Sequence, residues 1–165
     1  MNKKLELKIK SDVEFQDIIK EIVNNNIVQR MKKFKQHCDT NCFEHCYIAS
    51  YYCYVIAKSM NLDYKSMARG AILHDLFLYD WRNSCNKNYC HALEHPRVAY
   101  ENASKLFNLN KKEKDIILKH MWPMTIIPPK TLESFILICV DKYCAITEIC
   151  SYYLKNLFVK LSFLR

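Results

Sequence analysis

A histidine followed directly by an aspartate, His74-Asp75, closes the apolar run Ala71-Ile72-Leu73. A carboxylate at the inner end of a helix is costly unless it is paired or bound to metal. The next four residues, Leu76 to Tyr79, carry no cation, which makes a metal ion a good candidate for its partner. Asp141 repeats the pattern, since it follows Phe135-Ile136-Leu137-Ile138-Cys139-Val140, and His45 lies in the apolar segment before the His-Asp pair. Four candidate ligands thus come from three separate segments. Neutral imidazoles beside carboxylates suit borderline divalent ions such as Mn, Fe, Co, Ni or Zn, and fit a purely calcium site poorly.

Helices must position these residues. The chain has 165 residues, half of them apolar, with one glycine and four prolines, so little in it interrupts regular structure. Helices are expected over 11–35, from Cys42 to about Met60, from Tyr64–Ser66 into His74-Asp75, from Lys111 to His120, and over Thr131 to Tyr143, with one or two more from Ala145 to Phe163. Pro96 fits the first turn of a helix running through Leu106, which would start beside His95. Asn83 to Asn88 reads as a loop continuing to His91, and His37 as structural or solvent-facing. No run long enough to be a sheet is apparent. The expectation is an all-α, single-domain helical bundle, with a helical extension over 1–36 packed on a core over 37–165.

Composition narrows the function classes. No stretch is apolar and long enough to span a bilayer and no secretory signal opens the chain, so a cytoplasmic, membrane-free protein is expected. Nine cysteines without such a signal read as reduced thiols. Cys38, Cys42 and Cys46 could share one helix face, but no CxxC pair suggests a structural zinc site, so they read as small core residues. The formal charge of +8 favours anionic partners, although no nucleic-acid motif is present. No Gly-rich phosphate loop occurs, which sets P-loop chemistry aside. The apolar C-terminal segment with Tyr152, Tyr153, Leu157, Phe158 and Phe163 could pack on the core or on a second copy, so a homo-oligomer is possible.

A histidine on one helix, a His-Asp pair on the next and a distant aspartate on a later one resemble the signature of the HD superfamily of metal-dependent phosphohydrolases. The matching residues are His45, the pair in Gly70-Ala71-Ile72-Leu73-His74-Asp75, and Asp141 in Val140-Asp141-Lys142-Tyr143, so the resemblance covers roughly His45 to Tyr143. It implies a helical bundle of the HD-domain type in which His45, His74, Asp75 and Asp141 hold one ion. By the same resemblance, His95 in Glu94-His95-Pro96 and His120 in Lys119-His120-Met121 hold a second, with Asp75 bridging. One or two divalent ions (Fe, Mn, Zn, Co or Ni) are implied, with a nucleotide or other small phosphorylated metabolite as substrate.

One departure matters. Many hydrolytic members follow the pair with a small residue and a phosphate-contacting lysine, whereas here the run is His74-Asp75-Leu76-Phe77-Leu78-Tyr79-Asp80-Trp81. The lysine's work could fall to Lys142, Arg97 or Lys119, and Asp80 is a candidate general acid or partner to a ligand histidine. Two alternatives stay open: a di-iron oxygenase built on the same six ligands, and a metal-containing module that binds a ligand without turning it over.

Overall fold

The computed structural model describes residues 3–82 and 90–162. The loop expected at Asn83 to Asn88, Cys85 and Phe163 lie outside them. The described residues are mostly helical: α1 (Lys3–Ser11), α2 (Val13–Val23), α3 (Asn26–Gln29), α4 (Cys42–Ser59), α5 (Tyr64–Leu73), α6 (His91–Leu106), α7 (Lys111–Lys119) and α8 (Leu132–Ser162). A short 3-10 turn (Arg30–Lys33) follows α3, and two strands, β1 (Lys35–His37) and β2 (Thr40–Asn41), form an antiparallel hairpin before α4. No helix among the described residues is long and apolar enough to cross a membrane.

The helix expected over 11–35 is broken by its own polar residues. Asp12 accepts the backbone N–H of Phe15 at 3.1 Å and so starts α2, and Asn25 accepts that of Ile27 at 2.9 Å and starts α3. Such caps satisfy amides that a helix leaves unpaired, which favours a new start over continuation. Phe15, Ile19, Ile22, Val28 and Met31 from this region, with Ile9 of α1, are fully buried in the cluster that contains Cys46, Tyr54 and Ile72.

At the other end, the two helical segments expected after Thr131 are one helix of 31 residues. Asp141-Lys142 does not interrupt it, because no glycine or proline occurs between Leu132 and Ser162. The hairpin was not legible as strand: three residues facing two cannot display a two-residue period, and the chain reverses through Cys38 at φ 50°.

The chain's single glycine lies where α5 and α7 approach closely. A Cβ on Gly70 of α5 would stand 2.8 Å from Ile116 Cγ2 of α7, inside van der Waals contact. Glycine in a helix costs about 0.5–1 kcal/mol against alanine. Here it lets α5 lie against α7, so that the C-terminal ends of both helices reach the same place. His74 follows the last residue of α5 and His120 the last residue of α7, with backbone angles of −60°, −29° and −60°, −22°.

Candidate metal centre

Those two histidines behave alike. His74 Nδ1 lies 2.7 Å from the Ala71 carbonyl and His120 Nδ1 2.8 Å from that of Ile117, each three residues back in its own helix. His95, inside α6, places Nδ1 2.8 Å from the carbonyl of His91. A carbonyl only accepts, so all three rings donate Nδ1–H outward and turn Nε2 inward. Metal-binding histidines are commonly held this way, with the outer nitrogen anchored and the inner one free.

The three Nε2 atoms converge on Asp75. His74 Nε2 is 3.3 Å from Oδ2, while His95 and His120 Nε2 are 3.2 and 3.4 Å from Oδ1. The two carboxylate oxygens of Asp75 therefore face two different groups of nitrogens. On the first side, His45 Nε2 lies 2.8 Å and His74 Nε2 3.5 Å from Asp141 Oδ1. The donor atoms of His45, His74 and Asp141 lie within 4.8 Å of one another, as do those of Asp75, His95 and His120, so each trio could hold a metal ion.

All six residues predicted as ligands meet here, from α4, α6, α8 and the ends of α5 and α7. Five have side chains no more than 6 % accessible, and Asp141 has 15 %.

Two features fit cations. His95 Nε2 and His120 Nε2 stand 2.7 Å apart, although both rings already carry their hydrogen on Nδ1. Two lone pairs at that distance repel unless a cation lies against both. A shared proton is disfavoured at His120, whose pKa is lowered first by burial and further by the neighbouring His95 and His74, against the pull of Asp75. Secondly, His74 Nε2 and Asp75 Oδ1 are buried without a hydrogen-bond partner. Such orphaned atoms are rare and mark where a partner belongs. The negative C-terminal ends of α5 and α7 add to the attraction for positive charge.

His45 is held differently. Its Nδ1 lies 3.0 Å from Glu148 Oε1, two turns beyond Asp141 on α8. Burial lowers the affinity of its ring for a proton, but Asp141 and Glu148 outweigh this and push the pKa up to about 10. Burial likewise opposes the charges of His74, Asp75 and Asp141, yet they stabilise one another, so His74 is raised well above the histidine range and both carboxyls are held below theirs. In the metal-free protein, protons on His45 and His74 balance the carboxylates. Gln36, on the hairpin, donates from Nε2 to Asp75 Oδ2 at 2.5 Å and fixes the carboxylate from the remaining side.

The other predicted residues lie outside the ligand cluster. Asp80 is exposed and accepts the backbone N–H of Arg82 at 3.0 Å. Lys142 is exposed on α8 with Nζ 3.5 Å from the Ile138 carbonyl. Arg97 pairs with Glu94 and Glu101 on its own helix. Arg97 and Lys119 line an apolar groove of about 730 Å³ with Leu93, Met124 and Ile127, and no ligand residue borders it.

His91 corrects the expectation of a loop. It is the first residue of α6, which places Pro96 in the second turn rather than the first and His95 inside the helix. Its Nδ1 accepts the Tyr79 hydroxyl at 2.8 Å, and its ring stacks on Trp81 and His95. His37 is half-buried and falls with His45 and Glu148 in a further group that could hold a metal ion. Gln36, Glu148 and the approach of Cys46 to His74 and Asp75 were not predicted. Of these, only Glu148 left a signal, as an acid seven residues after Asp141 on the same helix face.

No protein-family model, no curated protein and no solved structure matches this chain.

Proposed function

We propose that the protein is a metal-dependent phosphohydrolase of the HD type, acting on a nucleotide or another small phosphorylated metabolite. The observation that carries the metal part is the pair of inward lone pairs on His95 and His120, 2.7 Å apart beside the unpartnered Oδ1 of Asp75. The hydrolytic part rests on the resemblance of His45, His74-Asp75 and Asp141 to the superfamily signature.

In this reading His45, His74, Asp75 and Asp141 hold one ion, and Asp75, His95 and His120 a second. Two divalent ions supply an acidified water and a Lewis-acid surface for a phosphoryl group. Asp75 sets the relation between the two groups, because one oxygen faces His74 and the other faces His95 and His120. Gln36 keeps it from rotating. Leu73 and Leu76, which flank His74-Asp75, and Ile117, whose carbonyl holds His120, are fully buried in the apolar core. Substrate reaches the centre on the side of Asp141, the most accessible of the six, and Lys142 beside it takes the role of the absent phosphate-contacting lysine.

A second reading, a di-iron oxygenase, is favoured by the placement of Arg97 and Lys119 in a groove that no ligand borders. Redox chemistry on an uncharged substrate needs no basic side chain at the ions.

The deciding experiment is metal content per chain after purification without added metal, with phosphate release from a panel of nucleotides and phosphomonoesters. Two ions with metal-dependent phosphate release are expected for the wild type, and a count falling toward one for His120→Ala. Tight binding of two irons with oxygen consumption and no phosphate release would establish the second reading. Absence of bound metal would overturn both.

A further inference from the structure

Cys46 follows His45 on α4 and is fully buried. Successive helical residues point about 100° apart, so the two side chains leave α4 in different directions. His45 turns to Asp141 and Glu148 on α8, while the Cys46 sulfur falls with His74 and Asp75 at the end of α5. The sulfur, one nitrogen of His74 and one oxygen of Asp75 lie within 4.8 Å of one another, the same closeness that relates the donors of the two histidine trios.

Two further observations point into this spot. His74 Nε2 is fully buried with no hydrogen-bond partner, and Asp75 Oδ1 is buried in the same condition. The neighbouring Cys42 thiol donates to the Asp75 carbonyl at 3.2 Å. Cys46 is thus the thiol whose sulfur lies with the His-Asp pair.

We propose that Cys46 is a direct ligand of the first metal ion, so that this ion is held by a thiolate together with His45, His74, Asp75 and Asp141. Binding displaces the thiol proton together with one proton each from the His45 and His74 rings, and all three leave to solvent. This rests on the metal reading above. A thiolate changes which ions the site keeps: sulfur favours zinc, iron and cobalt, and gives no advantage to magnesium or calcium, which prefer oxygen. It also makes the occupied site sensitive to oxidants that attack sulfur.

The test uses cobalt(II) as the probe. Metal-free full-length protein is loaded with cobalt under anaerobic conditions, and its absorption is recorded beside that of Cys46→Ser and Cys42→Ser. Wild type and Cys42→Ser should show a near-ultraviolet thiolate-to-cobalt charge-transfer band, and Cys46→Ser should bind cobalt without it. X-ray absorption of the zinc-loaded wild type, which needs no variant, should show a sulfur at about 2.3 Å among lighter neighbours at about 2.0–2.2 Å. Cobalt bound without the band, a band that survives in Cys46→Ser, or a zinc shell without sulfur would each overturn the assignment and leave the histidine-aspartate site standing. Failure of the wild type to take up cobalt or zinc would overturn the metal reading, and this ligand with it.

Discussion

Replacing Asp75 by alanine removes the group on which the candidate centre turns, and its effect separates into two measurable parts. In chelator, the lost carboxylate leaves the buried His74 and the Gln36 amide without their partner. Two unit charges 3.3 Å apart, the separation of His74 Nε2 and Asp75 Oδ2, attract by about 5 kcal/mol at an effective dielectric constant of 20. Desolvation offsets part of this, and breaking one side of a buried pair costs about 3–5 kcal/mol. In a chain of this size each kcal/mol moves the melting temperature by about 2–4 °C, so the metal-free variant should melt on the order of 10 °C lower.

The second part is linkage. Metal at about a thousand times its dissociation constant stabilises the wild type by about 4 kcal/mol, and should not stabilise the variant. The assay is thermal unfolding followed by circular dichroism, with chelator and with zinc or manganese, alongside metal content by mass spectrometry. A variant that melts within about 2 °C of the wild type in chelator would refute the electrostatic argument. One that keeps its metal-induced rise, or its bound ions, would refute the ligand assignment.

Three further outcomes follow from the geometry. Gly70→Ala should destabilise by about 1–3 kcal/mol in denaturant titrations despite its better helix propensity, because the new methyl meets Ile116; equal or greater stability would show that α5 and α7 can part. Glu148→Gln keeps a hydrogen-bond acceptor for His45 but loses the charge, so zinc affinity measured by competition with a chelator should fall about 10- to 100-fold, and an unchanged affinity would make Glu148 a bystander. His91 has its pKa lowered to about 4, first by burial and then by the neighbouring His95, against 6.5 when unfolded, so the unfolded chain takes the proton first. The stability this contributes is present above about pH 6.5 and lost as pH falls toward 4. His91→Asn should flatten the fall of melting temperature over that window, and an unaltered slope would contradict the neutral ring that accepts the Tyr79 hydroxyl.

The sequence showed its helices best where apolar period and end signals agreed. Cys42 to Ser59, Tyr64 to Leu73 and Lys111 to Lys119 lie close to their predicted limits, and the side chains of Asn41, Asp63 and Asn110 cap their starts. The structure brings the six histidines and aspartates named from the sequence together. His74-Asp75 and Asp141 were visible as polar residues closing apolar helical runs, whereas His95 and His120 came from the resemblance alone.

Gln36 and Cys46 carried no such signal. Gln36 reaches Asp75 across 39 residues of sequence, on a strand too short to show a period, whose backbone carbonyls also accept from Arg82. Cys46 looked like any small core residue, because burial alone says nothing of which atoms it faces. Pro96 misled because proline favours the first turn without being confined to it, so it marked the wrong end of the turn that contains His91.

The burial of the centre has a consequence for exchange. His45, His74, Asp75, His95 and His120 are each 5 % accessible or less, and they are contributed by helices packed on every side. A chelator from solution meets an ion held among them only on the Asp141 side and does not reach the inner donors. The ion leaves when helices separate, so its release should follow the rate of local opening and level off as chelator concentration rises. Occupancy in a cell would then record which ion was present when the chain folded, rather than which is most abundant afterwards.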